Sequence, residues 1–168
     1  SVAPAFGAAY LHATTGGRPC ASEPDLMSRG NPYGTHSFPK HERLVRTLLA
    51  LTHGNVTAQS FGWPGHREST RDVCREVNRR AKWLLGAEPE TWGAILVSEQ
   101  TRQFYAYRDI KEQFLPHVFG TFRAGLEEHL NLRLINDWDL TPEELKKYEV
   151  LVLPNAAALS DSQVNAVR

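Results

Sequence analysis

Three short apolar runs in the second half of the chain constrain its fold more than any other feature. They are "GAILVS" from Gly93, "LRLIND" from Leu132 and "EVLVLPN" from Glu149. Each has the length and aliphatic content of a buried strand. Helical patterns separate them. Residues 108–130 predict one long helix, bent near Pro116 because proline lacks the N–H a helix interior needs. "TPEELKKY" predicts a second helix, with Thr141 as cap, Pro142 in the first turn and Glu144 at the capping-box position. Ser160 is a good N-cap for a third, which meets no stop signal before Arg168. Strands alternating with helices predict a parallel sheet. A continuous apolar strand such as Val150-Leu151-Val152-Leu153 suits a sheet covered on both faces. Three strands are few for a doubly wound sheet, so the expectation is a domain truncated at its C-terminal end.

The first half has a different texture. Residues 1–38 are rich in Gly, Pro and Ser, which predicts loops around short buried strands. From Pro39, "PKHERLVRTLLALTHG" sets Leu44, Leu48 and Leu51 at helical spacing with Val45 and Leu49 beside them, and Gly54 follows as a stop. "NVTAQSFGW" predicts a strand. "STRDVCREVNRRAKWLLG" predicts a helix with Ser69 or Thr70 as cap, Val73, Val77, Leu84 and Leu85 facing inward, and Gly86 ending it. The polar stretch Ala87–Trp92, with its proline, reads as a linker.

Totals exclude several classes of function. The 168 residues carry 19 basic and 19 acidic side chains. Zero net charge gives no electrostatic reason to expect nucleic acid or an anionic membrane as partner. No apolar run is long enough to span a bilayer. No basic start followed by an apolar core marks a signal peptide, so a cytoplasmic location is the expectation. Cys20 and Cys74 stand too far apart in sequence for a zinc motif or a disulfide framework, and they read as idle or buried thiols.

The strand ends of the second half are where an α/β enzyme would keep its chemistry. After the third strand comes Pro154-Asn155-Ala156-Ala157-Ala158, where an acyl-transfer enzyme of the amidotransferase type needs Cys or Ser on a sharp turn. Ser160 comes too late and caps a helix instead. After the first strand, "SEQTRQFYAY" offers hydroxyls for a phosphate but no glycine to let backbone N–H groups approach. Phe104, Tyr105 and Tyr107 read as packing residues there, and Glu99 stays open as a polar group at a strand end. After the second strand, Asp137 and Asp139 are two carboxylates without a third ligand, and a solvated loop is the simpler reading. The second half therefore reads as a structural or assembly module.

The first half carries the alternative. Glu23 follows a short run of small residues, and Trp63 lies just beyond the predicted strand. A β/α-barrel glycosidase needs carboxylates at strand ends and an aromatic face for the apolar side of a pyranose. Read without that frame, Glu23 is a loop carboxylate and Trp63 a core residue.

Two stretches resemble the glycoside hydrolase family 42 β-galactosidases and related barrel proteins. "DWDLTPEELKKYEVLVLPNAAALSDSQVNAVR" is similar to the trimerisation domain, where a strand ending in Leu-Pro precedes "LSD" and a helix. "LLALTHGNVTAQSFGW" is similar to the last barrel strand, where a helix ends in Ala-His-Gly and the strand leads to a pocket tryptophan. His53-Gly54 and Trp63 match that pattern. The resemblance implies Glu23 as nucleophile, Trp63 as a substrate contact and an acid/base on an earlier barrel strand; residues 1–19 contain no carboxyl side chain that could take that part. Ser22-Glu23-Pro24 stands where the β-galactosidases have Met-Glu-Gln, which points toward the other barrel relatives.

The expectation is thus an α/β chain in two parts. Residues 1–88 would be the C-terminal portion of a (β/α)8 barrel. Residues 89–168 would be a truncated flavodoxin-like, class I amidotransferase-like parallel domain. The implied activity is hydrolysis of glycosidic bonds in a β-galactoside or plant oligosaccharide, with no cofactor and no metal. The implied partners are a carbohydrate and identical subunits, a trimer by resemblance. The other reading is a non-catalytic oligomerisation or ligand-binding module.

Overall fold

The computed structural model describes residues 2–18, 20–22, 40–57, 66–84, 87, 89–106 and 108–168. The chain is mixed α/β and divides into two compact units between Pro89 and Glu90.

The first unit opens with α1 (Val2–Thr14), where the composition predicts loops. Alanine explains the difference. It is the best helix former, and Ala5, Ala8, Ala9 and Ala13 make the buried face of α1. Pro4 falls in the first turn, where no N–H is needed. β1 (Ala21–Ser22) and β2 (Val56–Thr57) pair in parallel, with Ala21 opposite Val56 and Ser22 opposite Thr57. Helix α2 (Lys40–Thr52) connects them, and α3 (His66–Leu84) follows β2 and packs against α2. The most deeply buried stripe of α2 is Arg43, Thr47 and Ala50. It lies one position ahead of the predicted Leu44, Leu48 and Leu51, which are only partly buried, while Val45 is exposed. A polar contact sets this rotation: the buried Arg43 guanidinium donates through Nη1 to Thr70 Oγ1 of α3. On α3, Val73 is buried as its spacing predicts.

α2 ends in a Schellman motif. Asn55 N–H donates to Ala50 O and Gly54 N–H to Leu51 O, both at 3.0 Å. Gly54 has φ +78°, and a Cβ there would lie 2.6 Å from His12 Nδ1, so the imidazole packs directly on its backbone. The Asn55 side chain donates to Ala8 O at 2.7 Å and accepts from the Cys20 thiol.

The second unit holds a parallel sheet in the order β4-β3-β5, from β3 (Gly93–Val97), β4 (Leu132–Asn136) and β5 (Val150–Val152). Val97 pairs with Asn136 and Ile95 with Val152. β3 is central and buried throughout. Its alternating side chains serve two layers. Ala94 and Leu96 join Ile135 and Leu140, with Leu145, Tyr148, Leu151, Ala156 and Leu159 packed around them. Helix α5 (Leu115–Glu127) also packs on the sheet and buries Val118, Phe122 and Gly125. Gly125 allows a close approach, because a Cβ there would meet Leu132 Cδ1 of β4 at 2.5 Å.

The long helix predicted over 108–130 is broken. α4 (Ile110–Gln113) stops at Phe114, which takes φ −121° and ψ −59° with its side chain buried, and α5 begins at Leu115. Pro116 can sit in the first turn of α5 but not inside a continuous helix, where its ring would clash with the carbonyl four residues back. The chain leaves the helix two residues before the proline and buries Phe114. Two further helices, α6 (Pro142–Leu145) and α7 (Asp161–Val167), begin at Thr141 and Ser160, the predicted caps.

Candidate functional site at the carboxyl edge of the sheet

Glu23 and Trp63 lie outside the described residues. β1 ends at Ser22, the residue before Glu23 in the chain. The carboxyl ends of β3, β4 and β5 are described fully, and they carry a connected set of polar side chains.

After β3, Ser98 and Thr101 are both buried. Ser98 Oγ accepts from Thr101 N–H at 3.1 Å, which starts a π-helical turn over Thr101–Tyr105. Thr101 Oγ1 accepts from the Ala158 N–H at 3.0 Å. The Ser98 and Thr101 hydroxyls both face Ala158 O, at 3.4 and 3.5 Å. The loop after β5 is therefore tied across to the loop after β3. Glu99 is not free for chemistry. Its carboxylate accepts from Arg102 Nε at 2.7 Å and from Gln103 Nε2 at 2.8 Å. The Arg102 hydrogen bond is the main cause that holds Glu99 below the usual carboxylate range.

After β4 the structure corrects the reading of a solvated loop. Asp137 is only 6% exposed, and its Oδ2 accepts from Gln100 N–H at 2.9 Å. Asp139 forms a capping box with Asn136, and Asp139 Oδ2 accepts from Asn136 N–H at 2.8 Å. The two carboxylates thus organise backbone. Among the described residues no group of three or more His, Cys, Asp or Glu side chains is arranged to hold a metal ion. Gln163 of α7 closes the set. Its Nε2 donates to Asp137 O at 3.1 Å and its Oε1 accepts from Ser160 N–H at 2.7 Å. Two buried atoms, Asn136 Nδ2 and Asp137 Oδ1, have no hydrogen-bond partner.

The expected box at Thr141 forms only halfway. Thr141 Oγ1 accepts from Glu144 N–H at 3.2 Å. The Glu144 carboxylate turns instead to Lys147 and to the Tyr148 hydroxyl, the latter at 2.9 Å. Burial first, and then this hydrogen bond, push the Tyr148 pKa up to about 12.

The sequence marked Ser160 as a cap but read Asp137 and Asp139 as a solvated loop, and it did not show the parts played by Thr101, Asn136 and Gln163. Two of those had a local signal, since Asn136 and Asp139, like Ser160 and Gln163, stand at capping-box spacing. The contact of Thr101 with Ala158 spans 57 residues and had none. Chemically, the loops at this edge contain no cysteine and no histidine. The Ser98 and Thr101 hydroxyls on the first loop are engaged with the backbone of the third. Phe104 and Trp138 are exposed at the same edge, at 81% and 54%. In the first unit, both cysteines are free thiols, Cys20 partly buried and Cys74 exposed. No helix among the described residues is long and apolar enough to cross a membrane.

No protein-family model and no curated protein matches this chain.

Proposed function

We propose that the chain belongs to a glycoside hydrolase of the β-galactosidase type, with the first unit contributing the closing strands of a (β/α)8 barrel and the second serving assembly. The observation that carries this reading is the β1–β2 pair. Two parallel strands are joined through helix α2, and β1 ends one residue before Glu23. Barrel enzymes gather their catalytic groups at the carboxyl ends of such strands. In this reading the Glu23 carboxylate attacks the anomeric carbon and Trp63 stacks on the sugar. An earlier barrel strand supplies the acid/base, about 5 Å from the nucleophile as a retaining mechanism requires. No cofactor takes part.

The second unit suits a flavodoxin-like fold, because its strand order corresponds to the first three strands of the 2-1-3-4-5 arrangement. Ligands of such folds sit in the crevice where the strand order reverses, here between β3 and β5. The Thr101–Ala158 hydrogen bonds cross that position. This favours the second reading for this unit alone, a non-catalytic oligomerisation module. Its partner would be further copies of the chain, as a trimer by resemblance.

The test is Glu23→Gln in the protein that carries this chain. Turnover of a chromogenic β-galactoside should be abolished, with the circular dichroism spectrum and melting temperature unchanged. Azide should restore turnover to Glu23→Gly by attacking in place of the carboxylate. Undiminished turnover by Glu23→Gln would remove Glu23 from the mechanism. A wild-type protein that turns over no glycoside, yet forms a defined oligomer, would leave the assembly reading standing alone.

A further inference from the structure

We draw no further inference here: the strongest candidate, the exposed aromatic surface carried by Phe104 and Tyr105 on the loop after β3 and by Trp138 on the loop after β4, is an unpartnered patch, and nothing in the structure shows what covers it.

Discussion

Thr101 Oγ1 accepts a hydrogen bond from the Ala158 N–H at 3.0 Å, so a hydroxyl at the end of the central strand holds the loop that follows the edge strand. Thr101 is fully buried. Thr101→Val keeps the shape and removes the acceptor. It should lower unfolding stability by about 0.5–1.5 kcal/mol, the net contribution of one hydrogen bond to a partly buried N–H. Thr101→Ser retains the hydroxyl and should lose less. Urea unfolding of the three proteins decides it. Equal midpoints for Thr101→Val and the wild type would show that the bond contributes nothing.

Gly54 is required twice, by its φ of +78° and by the His12 ring against its backbone. Gly54→Ala should cost about 1–2 kcal/mol for the left-handed backbone alone, and more for the contact with His12. Adding His12→Ala should recover the second part only. A double-mutant cycle in urea measures it, and strict additivity of the two substitutions would mean that they do not touch.

His129 also has positive φ, +56°, and occupies the corresponding cap position of α5, where Leu130 N–H donates to Gly125 O at 2.8 Å. A glycine meets no Cβ penalty in that conformation. His129→Gly should therefore stabilise the protein by roughly 1 kcal/mol. A lowered thermal midpoint for this variant would mean that the His129 side chain makes contacts worth more than the backbone strain.

Burial, and secondarily the charge of His12, hold the His53 pKa below its ordinary 6.5. The folded protein then binds this proton more weakly than the unfolded chain does. The stabilisation is present above pH 6.5 and declines as the pH falls below it. His53→Gln should flatten this part of the stability curve, measured as urea midpoints between pH 8 and pH 5. An unchanged slope would assign the acid sensitivity to other groups.

Tyr148 shows the opposite sign, with a folded pKa near 12 against an ordinary 10.0. Its contribution is present below pH 10 and is lost as the pH rises from 10 toward about 12. In an ultraviolet titration, Tyr148→Phe should remove the absorbance change centred near pH 12. Loss of an earlier component instead would contradict the burial of this hydroxyl.

Local chemistry alone determined much of the second unit. Gly93–Val97, Leu132–Asn136 and Val150–Val152 are short runs rich in aliphatic side chains that gain by leaving water, and Thr141, Pro142 and Ser160 satisfy or omit N–H groups at helix starts whatever surrounds them. Gly54 ended α2 for a local reason as well, since its φ of +78° lets the chain cap the last carbonyls of the helix. Other features needed the fold. Helix α1 forms through a stripe of small alanines whose value depends on burial, which a count of Gly and Pro does not register. The break at Phe114 reflects both the proline and the buried site its ring fills. The rotation of α2 toward Arg43 rather than Leu44 depends on Thr70, on another helix. The roles of Asp137, Thr101 and Gln163 rest on partners 26 to 57 residues away. A hydrogen bond to a buried backbone group is decided by which loops the sheet order brings together, and that order, β4-β3-β5, exists only once the strands have paired.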